Sequence, residues 1–335
     1  MTTVVNGRFL SQRPGGLQRT ARSLLEALRD EGVPLEVVAP LPDRLADRVK
    51  PAPAGRLGGQ LWEQVVLPRA AAGRPVLSLA NTAPLAARGA TVVVHDLAPL
   101  TDPSWFRPSM RVYGRLVLAG ARRAERVVTV SEAMRAELLA RGIRAHRIAV
   151  VRPAVDPLFR PASEAEVARV RDALDLHGPY VVLPGWADPR KDAATAVAAS
   201  SAAQSPHTLV LLGGPRAVFA PVGLPPGDRV LVAGHVSDTD LVALLSGAAA
   251  LVYPSHYEGF GLPPLEAWAC GTPALVSDLP VLRESTANQA IYLPPGDVQA
   301  WSRALDAVLD ERPAVPPAPD RTWADAAREL AVVLP

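Results

Sequence analysis

Short apolar runs alternate with helical patterns along the whole chain, and this alternation limits the fold more than any other feature. Runs of strand length occur at Thr2–Val5, Leu35–Ala39, Val76–Ala80, Thr91–Val94, Val127–Val130 and Ile148–Val151. Segments with apolar residues at helical spacing, such as Leu17–Asp30, separate them. Strands that are joined by helices form parallel sheets with helices on both faces. The sequence therefore predicts an α/β protein built from doubly wound sheets.

A second set of such runs predicts a second domain. Its strands are Tyr180–Leu183, Thr208–Leu212, Arg229–Val232, Ala249–Tyr253 and Ala274–Ser277. A chain of 335 residues is long enough for two cores. Several prolines between residues 153 and 161 indicate the linker. We predict one domain over residues 1–160, a second over 161–315, and a final helix within 316–335. Residues 40–60 are predicted to form a long loop.

Bulk composition excludes several classes of protein. The net charge of +2 is too small to indicate a nucleic-acid partner, and the single cysteine, Cys270, excludes an intrachain disulfide and a cysteine-based metal cluster. No apolar run reaches the roughly 18 residues of a membrane span, and no signal-peptide pattern opens the sequence. We expect a cytoplasmic protein, with a peripheral contact on the inner membrane face as the alternative.

The run from Pro254 to Glu284 carries the strongest chemical signal. Glu258 and Glu266 flank two glycines, and the pair Pro263-Pro264 can open a helix near Leu262. Free N–H groups at a helix N-terminus suit a phosphate, and carboxylates beside a phosphate serve to accept hydrogen bonds from hydroxyls. A phosphate that is flanked by hydroxyl-bearing groups describes a nucleotide sugar. On these residues alone, an ordinary glycine-rich loop followed by a helix and a strand is the competing interpretation.

Other distinctive residues also follow predicted strands. These are Gly15-Gly16, His95-Asp96, Ser131, Gly185 to Lys191 and Gly213-Gly214. In doubly wound folds ligands bind outside the carboxyl ends of the strands, so these residues are the candidate site. Ser131 is additionally predicted to cap a helix over Glu132–Arg141.

The run Glu258-Gly-Phe-Gly-Leu-Pro-Pro-Leu-Glu266-Ala resembles the signature of retaining glycosyltransferases of family 4. The continuation from Gly271 to Asp278 and the segment around His95-Asp96-Leu97 are also similar to that family. The resemblance implies the GT-B architecture, in which two Rossmann-like domains face each other across a cleft. It also implies that the C-terminal helix packs back on the first domain, and it favours a mannosyl- or rhamnosyltransferase-like subgroup.

The resemblance further implies the reaction. A hexose would move from a nucleoside-diphosphate sugar to a glycan, lipid-linked or small-molecule acceptor, with retention and with no metal or other cofactor. GDP-mannose is the favoured donor, and dTDP-rhamnose or a UDP-sugar is the alternative. The implied catalytic residues are His95, Asp96, Arg190, Lys191 and Glu258.

Donor contacts are implied residue by residue. Arg190 and Lys191 would hold the diphosphate, and Glu258 would lie beside the sugar. The full set of implied donor-binding residues is Gly16, Gly185, Arg190, Lys191, Val236, Glu258, Gly259, Phe260, Gly261, Leu262 and Glu266. Two positions depart from the family pattern: Asp192 stands where Asn is usual, and Pro153-Ala-Val-Asp156 lacks the usual glycine.

Other functions on the same architecture stay open at this point. A nucleotide-sugar isomerase would use the same donor site, whereas a phosphorylase would need a Schiff-base lysine, and Lys50 and Lys191 are the only lysines. A non-catalytic partner subunit would usually have lost Arg190-Lys191 or one of the glutamates.

Two further patterns admit competing interpretations. Asp238-Thr-Asp240 could bind a metal, but at the start of a helix it is predicted to be a cap. Arg111, Arg115, Arg122 and Arg126 are predicted to lie on one helical face, which would be solvated or would contact a lipid-linked diphosphate or a membrane surface.

Overall fold

The computed structural model describes residues 2–12, 15–40, 49–52, 59–87, 89–223, 227–311, 313–318 and 320–335. The chain divides into two compact units. The first unit comprises Met1–Thr101, Arg111–Ala154 and Arg321–Pro335, and the second comprises Asp102–Met110 and Val155–Asp320. The sequence-based boundaries at residues 160 and 315 fall within six residues of two of these limits, but the excursion of Asp102–Met110 into the second unit was not predicted.

The first unit contains a parallel sheet of seven strands in the described residues, in the order β3-β2-β1-β4-β5-β6-β7. The strands are β1 Thr3–Asn6, β2 Leu35–Ala39, β3 Val49–Pro51, β4 Val76–Ser78, β5 Thr91–Val94, β6 Arg126–Thr129 and β7 Ile148–Val150. The helices are α1 Gly16–Asp30, α2 Gly59–Ala71, α3 Ala98–Thr101, α4 Pro108–Arg123 and α5 Glu132–Ala140. Strand β3 and the start of α2 lie inside the predicted loop, and residues 41–48 and 53–58 of that loop lie outside the described residues.

The second unit contains a parallel sheet of six strands among the residues that the structure describes, in the order β10-β9-β8-β11-β12-β13. The strands are β8 Tyr180–Pro184, β9 Thr208–Leu212, β10 Val230–Gly234, β11 Ala250–Tyr253, β12 Ala274–Ser277 and β13 Ile291–Leu293. The helices are α6 Glu164–Ala173, α7 Ala193–Ala202, α8 Asp238–Gly247, α9 Leu262–Ala269, α10 Pro280–Ser285 and α11 Val298–Glu311. Both units are therefore doubly wound α/β sheets, as the alternating pattern predicts.

The last helix, α12 Trp323–Val333, belongs to the core of the first unit. Ala326, Ala327 and Leu330 are fully buried in the cluster that also holds Leu25 and Leu28 of α1. Thr322 caps the helix with its side chain and Asp325 completes a capping box. The segment therefore returns to the unit that the chain left at Ala154.

Candidate functional site

Loops at the carboxyl edge of the second sheet bring most of the predicted donor residues together. The loop after β8 carries Gly185 and the 3₁₀ turn Pro189–Lys191, and the loop after β11 runs into α9. The backbone N–H of Gly185 donates to the carbonyl of Leu212, at 2.8 Å, which fixes the loop against the end of β9. The φ angle of Gly185 is 71°, a conformation that glycine adopts without steric cost.

Lys191 and Glu258 form a direct ion pair across these two loops. The Nζ atom of Lys191 lies 2.5 Å from Oε1 of Glu258, and their side chains are only 12% and 9% exposed. Lys191 also donates to the hydroxyl of Tyr253, with its Nζ 4.1 Å from the centroid of that ring. Burial and the nearby Glu258 raise the pKa of Tyr253 well above its usual value, so the phenol stays protonated. This salt bridge thus joins the two residues to which the family resemblance assigned the phosphate and the sugar separately.

The guanidinium of Arg190 is held in place by one carboxylate and two aromatic rings. Its Nε lies 3.0 Å from Oδ1 of Asp188 and its Nη2 lies 2.6 Å from Oδ2. The same group lies 5.7 Å from the ring centroids of both Phe106 and Phe219. Two guanidinium nitrogens that were expected to bind a phosphate, Nε and Nη2, therefore donate to Asp188.

Asp192 and His256 add a second link between the loops, which the sequence did not predict. Asp192 has a φ of 46° and caps α7 by accepting from the N–H of Thr195. His256 Nε2 lies 3.0 Å from Oδ2 of Asp192, and this hydrogen bond raises the pKa of His256. Burial alone would raise the pKa of Asp192, but the hydrogen bonds from His256 and Thr195 hold it below its ordinary value. The aspartate at the position where the family usually has asparagine is therefore a helix cap and a hydrogen-bond partner of His256.

Helix α9 begins at Leu262, as predicted, but offers fewer N–H donors than expected. Its N-cap, Gly261, has a φ of 95°, and a Cβ there would lie 2.5 Å from Leu282. Pro263 and Pro264 carry no N–H, so only Gly261 and Leu262 remain of the four groups that an ordinary helix leaves exposed. The helix itself therefore offers an anion two backbone donors rather than four.

His95 is buried at the end of β5 in the first unit. Its Nε2 lies 2.8 Å from the carbonyl of Leu79, and its backbone N–H donates to Oδ1 of Asn81 at 2.6 Å. A carbonyl can only accept, so Nε2 carries the proton and Nδ1 of the neutral ring is an acceptor. Burial lowers the pKa of His95, which keeps the ring neutral at pH 7. Asp96 accepts from the N–H of Ala98 at 3.3 Å.

A buried ion pair lies in the same unit, at the carboxyl ends of β1 and β4. Arg8 Nε lies 2.8 Å from Oε2 of Glu63, whose side chain is fully buried. Thr82 and Asn6 also donate to Glu63 Oε2, at 2.8 and 3.0 Å. These hydrogen bonds offset the cost of burying the charges. Apart from the position of Arg8 two residues after β1, no sequence pattern indicates this pair.

Tyr113 connects the electrostatics of this pair to the region of His95. Burial is the main cause that raises the pKa of Tyr113 to about 12, and Arg8, Asp96 and Glu63 all act on it. Tyr113 also hydrogen-bonds Asn81, the residue that binds the backbone of His95. The first unit thus presents a connected polar network rather than an isolated histidine.

The remaining predicted contacts lie in the connections between strands and helices or at the starts of helices. Gly16 is the first residue of α1, and a Cβ there would meet no described atom within 4 Å. Val236 lies between β10 and α8, while Gly259 and Phe260 precede Gly261. Ser131 caps α5 by accepting from the N–H of Met134 at 3.1 Å, as predicted.

Asp238-Thr-Asp240 forms the first turn of α8. Ser237 caps the helix by accepting from the N–H of Asp240. The carboxylate of Asp240 binds Arg169 at 2.5 Å and the hydroxyl of Ser237 at 2.7 Å. These contacts lower the pKa of Asp240, and the hydrogen bond with Arg169 has the largest effect. Across the described ranges, no group of three metal-ligating side chains is arranged to hold an ion.

The predicted face of four arginines is wrong in one respect. Helix α4 ends at Arg123, so Arg126 is the first residue of β6 and not part of the helix. Arg126 donates to the carbonyl of His146, and Arg122 donates to that of Arg141. Arg111 and Arg115 lie exposed on α4 beside Val112, which is 65% exposed. No helix in the described part of the chain is long and apolar enough to cross a bilayer.

Known proteins share both halves of this arrangement. The family model Glycosyltransferase Family 4 matches residues 14–158, and the model Glycosyl transferases group 1 matches residues 194–329. The O-antigen chain mannosyltransferase RfbU of Salmonella typhimurium is 30% identical over 233 residues, which are 67% of this chain and 62% of the relative. O-antigen chain mannosyltransferase B of Escherichia coli is 29% identical over 225 residues, covering 64% of this chain and 59% of the relative. The chain spans less than two thirds of the length of these relatives.

Solved structures share the fold. Anabaena HepE in complex with UDP and glucose matches with a TM-score of 0.71 at 17% identity, covering 99% of this chain and 94% of its own. Sucrose-phosphate synthase from Thermosynechococcus elongatus matches with a TM-score of 0.71 at 22% identity, covering 100% and 94%. Both family matches fall on doubly wound units with the predicted motifs at their strand ends, so this chain belongs to glycosyltransferase family 4, in a GT-B subgroup like the O-antigen mannosyltransferases.

Proposed function

We propose that this protein transfers a hexose from a nucleoside-diphosphate sugar to a hydroxyl-bearing acceptor, with retention and without a metal ion. GDP-mannose is the favoured donor because the matching curated relatives are named as mannosyltransferases. dTDP-rhamnose and UDP-sugars are the alternatives. The acceptor is a glycan, a lipid-linked glycan or a small molecule.

The ion pair between Lys191 and Glu258 is the observation that carries this proposal. It joins the loops after β8 and β11, next to the N-terminus of α9. When the glycosidic bond breaks, negative charge develops on the leaving phosphate, and a fixed ammonium group stabilises that charge where it forms. Glu258 can accept a hydrogen bond from a sugar hydroxyl beside the same phosphate. A departing phosphate that helps to deprotonate the acceptor on the same face would give retention.

The donor can be identified by a thermal-shift screen with GDP, UDP, dTDP and their sugars. A compound that binds only the folded protein raises the melting temperature by mass action. We expect the largest shift from GDP and GDP-mannose. Release of the diphosphate from the selected donor, together with NMR of the anomeric configuration of the product, then tests transfer and retention. A screen in which no nucleotide shifts the melting temperature would contradict the proposal.

The two glutamates are expected to have different roles. Glu266→Ala should weaken binding of the nucleoside diphosphate about tenfold, because a charged hydrogen bond to ribose is lost. Glu258→Ala should mainly impair sugar transfer, and Glu258→Gln keeps the shape of the side chain as its control. Isothermal titration with the diphosphate alone separates the two effects. Equal weakening by Glu258→Ala and Glu266→Ala would show that the roles are wrongly divided.

EDTA should leave transfer essentially unchanged. The cations Lys191 and Arg190 are proposed to supply the positive charge that a metal supplies in other transferases. The check is the initial rate of diphosphate release before and after chelation. Complete loss, restored by manganese or magnesium, would instead make Asp238-Thr-Asp240 a metal site.

The exposed part of α4 is proposed to contact an anionic partner. Arg111, Arg115 and the apolar Val112 share it, and the helix sequence contains no acidic residue. Basic and apolar residues together suit a lipid-linked diphosphate acceptor or the anionic inner face of a membrane. In this proposal the protein works on the cytoplasmic side, and Arg122 and Arg126 contribute less because backbone carbonyls hold them.

A further inference from the structure

The segment Asp102–Met110 leaves the first unit and packs on the second. It lies between α3 and α4 in the chain, yet it groups with Val155–Asp320. Its backbone forms a short antiparallel bridge, in which Arg107 N–H donates to Val218 at 3.2 Å and Ala220 N–H donates to Trp105 at 2.9 Å. The ring centroids of Phe106 and Phe219 lie 5.6 Å apart, and the two ring planes are tilted by 48°.

The guanidinium of Arg190 lies against both rings of this aromatic pair. Its guanidinium is 5.7 Å from each ring centroid, while Asp188 binds it through both carboxylate oxygens. A cation that is held over aromatic faces is attracted by the ring quadrupoles. Its side chain is 15% exposed and that of Asp188 is 8% exposed, so the rings and the carboxylate leave the guanidinium few alternative positions.

The same segment also contacts the loop that carries Glu258. The ring centroids of Trp105 and Tyr257 lie 6.2 Å apart. The hydrogen bond with Asp192 is the main cause of the raised pKa of His256, and the charge of Asp102 adds to it. His256 in turn binds Asp192 in the loop of Lys191. The segment therefore touches both loops of the proposed donor site, through different residues.

We propose that Phe106 is a positioning residue for the donor diphosphate and acts by holding Arg190. This inference rests on the proposed function, since it takes the ligand of Arg190 to be a phosphate. Phe106 itself contacts no donor atom in this scheme. It limits the guanidinium to one orientation, so that less conformational freedom is lost when the phosphate binds.

A double-mutant cycle on the full chain tests this inference, with GDP as the probe and UDP and dTDP in parallel. Phe106→Leu keeps an apolar contact with Phe219 but removes the aromatic face. We expect it to weaken binding of the preferred diphosphate about 5- to 10-fold by isothermal titration. In an Arg190→Ala background, Phe106→Leu should weaken diphosphate binding by less than about 2-fold, because the residue through which Phe106 acts is absent.

The control is Trp105→Leu, which removes the neighbouring aromatic ring. Trp105 packs on Tyr257, so its effect should be the same with and without Arg190. Where Phe106→Leu lowers the folded fraction too far for titration, Phe219→Leu removes the opposite ring of the same pair and should show the same coupling to Arg190.

Three results would overturn the inference, and they differ from one another. Equal weakening by Phe106→Leu in both backgrounds would make Phe106 a general packing residue. If Phe106→Leu leaves the affinity for the diphosphate unchanged while Arg190→Ala weakens it, Arg190 binds the phosphate without being positioned by Phe106. Unchanged affinity in Arg190→Ala would remove the phosphate assignment itself, and the proposed role of Phe106 with it.

Discussion

Replacing Lys191 by alanine should reduce turnover by on the order of 100-fold or more, the largest loss that we expect from one substitution. Lys191 is proposed to stabilise charge on the leaving phosphate, and it is already fixed by Glu258 and Tyr253 before any donor binds. Arg190→Ala should cause a loss of the same order. The measurement is the rate of diphosphate release at saturating donor, per folded molecule.

The control for this prediction removes a cation from the same unit. Arg169 pairs with Asp240 on the α6 and α8 side, and its side chain is 57% exposed. Arg169→Ala should keep turnover within about 2-fold, because exposed ion pairs contribute little. Lys191→Ala also leaves the nearly buried Glu258 without its cation, so a lower melting temperature is expected beside the loss of rate. Near-normal turnover in both Lys191→Ala and Arg190→Ala would refute the phosphate assignment.

His95→Ala should lower transfer by at least about tenfold and leave the affinity for nucleoside diphosphate within a factor of about 2. The neutral ring presents Nδ1 as an acceptor, which suits a hydrogen bond from a sugar hydroxyl in the transition state. The predicted diphosphate ligands all belong to the other unit, apart from Gly16. Turnover should therefore fall more than donor affinity does.

Titration calorimetry with the diphosphate and steady-state kinetics on the same preparation check this expectation. His95→Gln is the matched variant, because glutamine retains a side-chain acceptor. The hydrogen bond from the backbone N–H of His95 to Asn81 is kept in both variants. A drop of several degrees in melting temperature with normal turnover per folded molecule would instead make His95 a core residue.

Much of the architecture could be predicted because local patterns encode it. Strands β2, β5, β9 and β12 have the predicted limits, and α1 begins one residue early. Helix α2 was missed because Pro68 lies inside it and because a charged residue, Glu63, stands on its buried face. Strand β13 and helix α11 lie in a stretch for which no element was predicted.

The candidate site was harder to predict, because its contacts join distant parts of the chain. Lys191 and Glu258 were assigned to different groups of the donor, but nothing in the local sequence shows that they bind each other. Arg8 and Glu63 meet only when β1 and α2 pack together. Phe106 follows elements of the first unit in the sequence, so it was assigned to that unit. Its contact with Arg190 in the second unit could therefore not be predicted.

The position of α12 has a consequence for how this chain is made. Synthesis proceeds from the N-terminus, and domains generally fold as units in that order. Here Ala326, Ala327 and Leu330 complete the hydrophobic core built on α1, so the first unit stays unfinished while all of the second is translated. Until then the apolar face of α1 lacks the part of its cover that α12 supplies. The ribosome therefore completes the second unit before the first. The last step of folding is the docking of α12 on the first unit, whose synthesis began earlier.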